Sequence, residues 1–299
     1  MAATGVPTNR TNIELPAEVS AEILQKTQEA SAVMQLARQI QLPGRGVEIP
    51  VITSDPTAEW VAETGLKPVS NPGLSKKIMT AYKLAVIVPF SNEFRRDAKA
   101  LYDELVKRLP NALGLQFDRT VFGIEAAPGS NFDTLTGCTA QNIGGTNTYA
   151  GLVAADTDVA VHGGILNGYV ISPQAKGTLL SATDGDQRPL FINSVAEGAI
   201  PMILGSKTLL SKGAYKAGTG SSDPNVVGAA GDWTQAMYGT VEGVKIDISD
   251  QATLTVGSGS SATQINLFQQ NMFAVRAEIE LGFRADTSVF NLLTTPYSA

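Results

Sequence analysis

Two stretches of alternating apolar residues flank a polar segment in the first third of the chain. The first covers residues 47–52 and the second 78–88, while Asp55–Lys77 between them is rich in Pro, Gly, Ser and charged residues. A period of two predicts β-strands, and two strands joined by a polar tip form an extended hairpin. A two-stranded ribbon buries too little surface to be stable alone in water. We therefore expect this hairpin to lie on another subunit.

A long amphipathic helix is predicted directly after the hairpin. Ser91 is a suitable N-cap for a helix that starts at Asn92 and runs to about Gly123. Pro110 removes one backbone donor and is expected to kink it. The apolar stripe recurs every three or four residues and consists of Phe94, Ala98, Leu101, Leu105, Leu109, Leu113 and Phe117.

The remaining segments mix helix, strand and loop, which predicts an α+β fold. Residues 1–13 are polar and read as a flexible arm, and a short helix is expected from Leu15 to Ala30. Gly213–Gly231 is Gly-, Ser- and Asp-rich and predicts a mobile surface loop. The other expected elements are a strand at 168–173, a helix at 174–182, a strand at 200–204, strands within 238–248 and a closing segment at 272–292.

Charge and cysteine content exclude several classes of protein. The net charge is −6, and no Lys/Arg stripe suited to phosphates is visible, so tight nucleic-acid binding is not expected. The single cysteine, Cys138, cannot form an internal disulfide, so the fold does not need an oxidising compartment. Neither a signal peptide nor a membrane-spanning segment is predicted.

Patterns that imitate catalytic or metal sites lack the context those sites require. Gly257–Ala262 follows a strand-like run, but the segment after it is too short for the crossover helix of a dinucleotide-binding domain. We therefore predict no catalytic residue of a conventional enzyme, no cofactor and no metal. The other patterns interpreted as structural are the lone His162, Cys138, and the acidic pairs Asp156/Asp158 and Asp184/Asp186.

The order of these elements resembles the major capsid proteins of tailed phages, the Hong Kong 97-type fold. The resemblance covers nearly the whole chain. It rests on EWVAETGLKPVSN at the hairpin tip, KLAVIVPFS on the returning ribbon, DRTVFG at the end of the long helix, YVISPQAKGTLLSATDGDQRPLF in the middle, and NLFQQNMFAVRAEIELGFRADTSVFNLL, which is similar to the family's last helix and strand.

This resemblance implies a division of the chain and an assembly. The implied parts are an N-terminal arm (1–46), an extended hairpin called the E-loop (47–89), a peripheral domain built on a long spine helix (90–150) and completed by C-terminal strands (241–299), and an axial domain (151–240). The family assembles as hexamers and pentamers into an icosahedral shell around double-stranded DNA, which it encloses without sequence-specific binding. The resemblance therefore also implies that the protein is part of the virion and that it assembles in the cytoplasm of a bacterial host.

Further proteins of such a particle are implied by the same resemblance. Many relatives carry a long scaffolding segment before the arm, whereas this sequence begins almost at the arm. A separate scaffold, or none, is therefore expected. Portal and decoration proteins are further expected partners.

Some relatives join their subunits by a lysine-to-asparagine isopeptide bond. In their motif the lysine precedes a proline at the hairpin tip, and the asparagine lies seven residues before a glutamate. Here Lys67 precedes Pro68, and Asn271 precedes Glu278 by that spacing. The resemblance therefore implies a crosslink between Lys67 and Asn271, with Glu278 as the proton acceptor.

Two alternatives remain open from the sequence. An encapsulin-type compartment resembles the same fold but encloses cargo enzymes instead of a genome. A cytosolic α+β enzyme with an unrecognised site belongs to another class, and it predicts a monomer or small oligomer. The size of the assembled particle separates both shell hypotheses from the enzyme.

Overall fold

Helices and strands alternate through the computed structural model, which gives the α+β character expected from the sequence. The structure describes residues 27–28, 30–44, 46–54, 58, 60–61, 66–67, 69, 73–92, 98–184, 186–191, 202–220, 222–257 and 262–297. The predicted arm at 1–13 and most of the predicted helix Leu15–Ala30 lie outside these ranges. Thr27, Gln28 and Ala30 at its end are helical.

The first complete elements are a short helix and an edge strand. Helix α1 is Ala32–Leu36, and its N-cap Ser31 accepts a hydrogen bond from the Met34 N–H at 3.1 Å. Strand β1, Arg38–Gln41, then runs parallel to a strand two hundred residues later in the chain. The two elements lead the chain to the base of the hairpin.

The hairpin is shorter than the alternating pattern suggested. Strand β2 (Val47–Ser54) pairs antiparallel with β3 (Gly73–Met79), whereas β4 (Tyr82–Ser91) belongs to a different sheet. The predicted pairing of residues 82–88 within the hairpin is therefore wrong. Alternation continues through the break because each strand has one buried face, and a period of two carries no information about the partner strand.

Helix α2 (Ala98–Val121) is the long helix predicted by the apolar stripe. Leu109, Leu113 and Phe117 are buried along it. Gly123 follows with a φ of +72°, the left-handed conformation that commonly terminates helices. Ser91, the predicted N-cap, is instead the last residue of β4, and residues 93–97 are outside the described ranges.

A five-stranded sheet packs against this helix. Its central strand β14 (Met272–Ala285) has β4 on one side and β10 (Ala236–Thr240) and β11 (Lys245–Ser249) in line on the other, with β1 beyond β10. A small hairpin of β12 (Thr253–Val256) and β13 (Thr263–Asn266) precedes β14. The last helix expected from the resemblance is not an α-helix in residues 262–297, where the chain forms strands, turns and one short 3-10 helix, Thr287–Val289.

The second sheet has six strands in the order β5-β15-β9-β6-β8-β7. The buried strand and following helix predicted from GYVISPQAKG are both present, as β6 and α4. The elements are β5 (Thr139–Asn142), α3 (Thr148–Val161), β6 (Gly168–Ile171), α4 (Pro173–Leu180), β7 (Met202–Ile203), β8 (Ser206–Leu210), β9 (Asn225–Gly231) and β15 (Phe290–Thr295).

The mobile loop predicted for 213–231 is contradicted by the second sheet. Strand β9 lies in its interior between β15 and β6, and Gly213 is buried against the long helix. A side chain at Gly228 would collide with the Val170 carbonyl oxygen of β6. Gly213, Gly228 and Gly231 allow another segment to approach closely, a use of glycine that composition alone does not distinguish from loop flexibility.

One continuous apolar core joins the two sheets and the long helix. Phe117 of α2 contacts the rings of Phe132, Tyr238 and Phe283 edge-on at centroid distances of 6.1–6.4 Å. On the other side Trp233 packs edge-on against Phe290 at 5.1 Å and donates its indole N–H to the Gly168 carbonyl. This core fixes the platform from which the hairpin projects.

Candidate functional site

The hairpin tip is polar in sequence, yet its described positions expose large apolar side chains. Trp60 and Leu66 are almost completely exposed, and Val69 is 87% exposed. Lys67, the predicted crosslink lysine, is also exposed. Such apolar exposure is costly in water unless another surface covers it.

Asn271 lies in a tight turn immediately before β14. Its φ of +53° places it in the left-handed region, which asparagine tolerates better than most residues. The Asn92 backbone N–H donates to the Asn271 carbonyl at 2.9 Å, and the Asn92 side-chain amide donates to Asn271 Oδ1 at 2.9 Å. The Asn271 carboxamide is thus held in one orientation by a donor on its oxygen.

Glu278 lies in the middle of β14, opposite Lys245 of β11 and Ala85 of β4. Its carboxylate is 3.3 Å from the Arg276 guanidinium. Seven residues of extended strand separate it from Asn271, a distance of about 24 Å. A single protomer therefore does not bring Asn271 and Glu278 together.

The base of the hairpin is seated in a notch of the five-stranded sheet. Two glycines on adjacent strands, Gly239 of β10 and Gly282 of β14, lie opposite each other under Leu42 and Met79. A Cβ at Gly239 would lie 2.5 Å from Leu42 Cγ, and one at Gly282 would lie 2.7 Å from the Thr80 carbonyl oxygen. Met79 is completely buried there. The absence of side chains at these positions allows the hairpin to cross the sheet.

Hydrogen bonds from Arg284 also hold the base of the hairpin. We call Arg284 and the residues around its guanidinium the Arg284 junction. Its Nε and Nη2 donate to the Ile78 carbonyl of β3 at 2.9 and 2.6 Å. Nη1 donates to Asp133 Oδ1 at 2.6 Å, and Nη2 also donates to Asn131 Oδ1 at 3.0 Å. One guanidinium thus connects the hairpin, the loop after the long helix and β14.

Asp133 and Lys77 complete the Arg284 junction. Asp133 Oδ2 accepts the Ala285 N–H at 3.2 Å, and Lys77 Nζ lies 3.6 Å from that oxygen. Lys77 also donates to the Ala285 carbonyl at 3.0 Å. The ends of β3 and β14 are therefore connected by charge-assisted contacts in which Arg284 and Asp133 are mostly buried and Lys77 is half-exposed.

A second group of hydrogen bonds, the Asp118 junction, lies on the long helix. Asp118 is completely buried and accepts from the Ser31 hydroxyl at 2.6 Å and the Ser211 hydroxyl at 2.7 Å. The Ala32 and Val33 N–H groups at the start of α1 donate to it as well, at 3.1 and 3.3 Å. Burial raises the pKa of Asp118, and these hydrogen bonds act in the opposite direction.

The residues predicted to be structural have ordinary environments. His162 ends α3 with Nδ1 2.8 Å from the Asp158 carbonyl oxygen, and Asp184 accepts the N–H groups of Asp186 and Arg188 in a turn. Burial, with a smaller effect from Asp286, raises the pKa of the Cys138 thiol to about 12. Residues 258–261 of the glycine-serine segment lie outside the described ranges.

The described residues offer no further candidate for a metal-binding site or a membrane-spanning helix. They contain no group of three or more His, Cys, Asp or Glu side chains placed to hold a metal ion. None of the helices in those ranges is both long enough and apolar enough to cross a membrane.

The whole-chain comparison decides the family. The model of the phage capsid family matches residues 12–287. The chain belongs to the phage capsid family.

Relatives of this capsid chain cover almost its full length. A probable major capsid protein of Mycobacterium phage D29 is 28% identical over an alignment of 298 residues, and the alignment covers 95% of this chain and 91% of the relative. A solved chain from Microbacterium phage Oxtober96 has a TM-score of 0.69 at 21% identity, covering 99% of this chain and 96% of that one. A chain from Mycobacterium phage Adephagia has a TM-score of 0.69 at 21% identity, with coverages of 90% and 91%.

These findings confirm the prediction of a phage capsid subunit that is part of the virion. The family is one of structural proteins, so the enzyme alternative has no support, and the encapsulin alternative is not favoured. The similarity to solved phage chains also confirms the mixed helix and sheet fold.

The sequence predicted neither the notch nor the two junctions of the capsid subunit, although it contains a signal for each of them. Gly239 and Gly282 interrupt strands, which often marks a close approach of another backbone. Asp118 lies four residues after Gly114, so the two residues share one face of the long helix beside the apolar stripe. A glycine inside a helix often marks a close contact with another segment. Arg284 stands near the end of β14 between Phe283 and Ala285, two apolar residues that are both buried.

Proposed function

We propose that this chain is the major capsid protein of a tailed phage and that it assembles as hexamers and pentamers into an icosahedral shell around double-stranded DNA. The observation that carries the assembly is the hairpin. In the described part of the chain, β2 and β3 pair with each other and with no third strand, while the tip exposes Trp60 and Leu66. A neighbouring subunit is the surface that can cover them.

The parts of the Hong Kong 97-type fold are assigned on the same basis. Residues 1–46 are the N-terminal arm, and α2 is the spine helix of the peripheral domain. The axial domain of 151–240 contains β6 to β9 of the six-stranded sheet, while β5 and β15 of the same sheet come from outside that range. The E-loop is better ended near Met79 than at residue 89, because β4 pairs with β14 of the peripheral domain.

Proposed partners other than the chain itself are a separate scaffold, a portal and decoration proteins. The DNA is enclosed without specific contacts. A net charge of −6 supports this, because like charge on wall and phosphates disfavours adhesion.

Light scattering and electron microscopy of the purified protein test the assembly. We expect large closed particles that assemble from the single chain or with a co-expressed scaffold. A monodisperse monomer under every assembly condition contradicts the proposal. Particles that enclose cargo enzymes and cannot package DNA would instead favour the encapsulin alternative.

A covalent crosslink between Lys67 and Asn271 of neighbouring subunits is proposed as a second property. Neutral Lys67 Nζ attacks the Asn271 Cγ atom, the bond from Cγ to Nδ2 breaks, and ammonia leaves with the proton that Glu278 transfers from the lysine nitrogen. The Asn92 side-chain donor on Asn271 Oδ1 supports this chemistry, because it stabilises negative charge on that oxygen. Since Glu278 is remote from Asn271 in one protomer, Glu278 has to come from another copy.

Denaturing electrophoresis after boiling tests the crosslink. Wild-type particles should give a ladder of covalent oligomers, and Lys67→Arg particles should give only the monomer band. Asn271→Asp is the matched variant, because it keeps the turn but removes the reactive amide. A single monomer band from mature wild-type particles contradicts the crosslink without affecting the shell function.

A further inference from the structure

We infer that Arg284 is the positioning residue that fixes the direction in which the hairpin leaves the subunit, and hence the geometry of the shell. This inference rests on the proposed function, in which the hairpin lies on a neighbouring subunit. The same Arg284 side chain contacts the hairpin, the loop after the spine helix and the central strand.

The guanidinium is suited to this task because its donors have fixed relative directions. Nε and Nη2 both point to the Ile78 carbonyl, Nη1 to Asp133 and Nη2 to Asn131. A planar group that is bound on three sides resists rotation as well as translation. A lysine ammonium keeps the charge but lacks the planar fork.

The apolar contacts of the hairpin base do not fix its angle in the same way. Leu42 and Met79 fill the notch above Gly239 and Gly282, which sets how closely the hairpin approaches the sheet. Packing of flexible side chains over two glycines allows the hairpin to pivot. The hydrogen bonds to Ile78 lie at the last paired residues of β3 and remove that freedom.

Small rotations at the base have large effects at the far end. Strand β3 extends seven residues from Met79 to Gly73, roughly 24 Å at the usual rise per residue. A rotation of about 10° at the base moves that end by about 4 Å, close to the spacing of neighbouring strands. Contacts with a neighbouring subunit would then be made out of register.

The test compares Arg284→Lys and Arg284→Met with Arg119→Met. Arg119 makes a half-exposed ion pair with Glu125 at 2.8 Å, so its variant controls for the loss of one arginine and one carboxylate contact. For each protein, urea unfolding of unassembled subunits reports stability, and electron microscopy reports particle diameters. We expect both Arg284 variants to give about tenfold fewer shells of wild-type diameter, the factor lost with roughly one charge-assisted bond. Arg119→Met should match wild type.

A direct readout separates positioning from stability. Spin labels at Lys76→Cys and Ala160→Cys report the hairpin-to-body distance in unassembled subunits. Arg284→Lys should broaden this distance distribution about twofold at an unchanged helix content. Asn131→Ala, which removes only one partner of the guanidinium, should broaden it less and provides a folded variant if the Arg284 variants do not fold.

The outcomes are distinguishable. If wild type forms shells and the variants form shells of the same diameter and yield, the inference is overturned while the proposed function stands. An unchanged label distance in both Arg284→Lys and Asn131→Ala overturns it as well. If wild type forms no shells under any condition, the proposed function fails, and the inference fails with it.

Discussion

The Asp118 and Arg284 junctions both connect distant segments of the chain, but the charges around their aspartates differ. Each uses one aspartate to connect segments far apart in the chain, since Asp118 is 87 residues from Ser31 and Asp133 is 151 residues from Arg284. Asp118 is surrounded by hydroxyl and backbone N–H donors. Asp133 is paired with the cations of Arg284 and Lys77.

The difference indicates which disturbance each junction resists. A carboxylate without a cation partner depends on complete hydrogen bonding, because ionisation in a dry environment is costly. A carboxylate that is paired with two cations depends instead on the geometry of those two contacts. We therefore expect stability to respond mainly to Asp118 and hairpin direction mainly to Arg284.

The largest expected effect is that of Asp118→Ala. Two hydroxyls and two N–H groups would lose their acceptor inside the core, so the free energy of unfolding should fall by about 4 kcal/mol. Urea unfolding of unassembled subunits measures it. Asp118→Asn, which retains one acceptor oxygen, should lose less. Equal losses in the two variants would contradict the role assigned to the donors.

Asp133→Ala should have a smaller effect on stability. It leaves the nearly buried Arg284 without its carboxylate, but the guanidinium keeps Ile78 and Asn131 as acceptors, so a loss of about 3 kcal/mol is expected. The same unfolding measurement applies. A loss greater than that of Asp118→Ala would reverse the ranking of the two junctions.

Gly282→Ala tests the notch beneath the hairpin. The new Cβ would lie 2.7 Å from the Thr80 carbonyl oxygen, and the backbone shift that relieves this contact should cost about 2 kcal/mol. Gly177→Ala in α4 is the matched control, because no atom lies within 4 Å of its Cβ position. That variant should be neutral or slightly stabilising. A neutral Gly282→Ala would show that the hairpin base is not closely seated.

The smallest effect is a dependence of stability on pH. Burial raises the pKa of Asp118, so the folded protein retains a proton that the unfolded chain releases. This contribution to the free energy of unfolding is fully present below the ordinary carboxyl pKa and is lost as the pH rises through the folded-state pKa. Urea midpoints between about pH 4 and about pH 7 should reveal the decline. In Asp118→Asn that component should disappear, and an unchanged profile would contradict it.

Sequence patterns predicted the elements better than their partners. The stripe through Leu109, Leu113 and Phe117 predicted the long helix α2, because burial of one helical face follows a local period. The alternation of 78–88 could not reveal that the pairing partner changes from β2 to β14 near Thr80. The mobile loop predicted for Gly213–Gly231 is wrong because glycine occurs both in loops and in closely packed strands.

The residues of the candidate crosslink could be predicted from the sequence, whereas those of the two junctions could not. Lys67, Asn271 and Glu278 were found through a spaced motif, and their spatial relation between subunits stays a prediction. Arg284 and Asp118 were missed because their partners lie in distant segments. Hydrogen bonds between such segments leave no periodic trace in the chain.

Strand β14 begins at the turn of Asn271 and ends at the Arg284 junction, and ladders of hydrogen bonds line both of its edges. A pull along its axis loads these bonds in shear, so many have to break together before the strand slips. Strand β14 is therefore a stiff connection between the proposed crosslink at Asn271 and the Arg284 junction at the base of the hairpin. Tension applied at the proposed crosslink to one neighbouring subunit is transmitted along β14 to the hairpin, which contacts another neighbouring subunit. No flexible loop lies between these two points to absorb it.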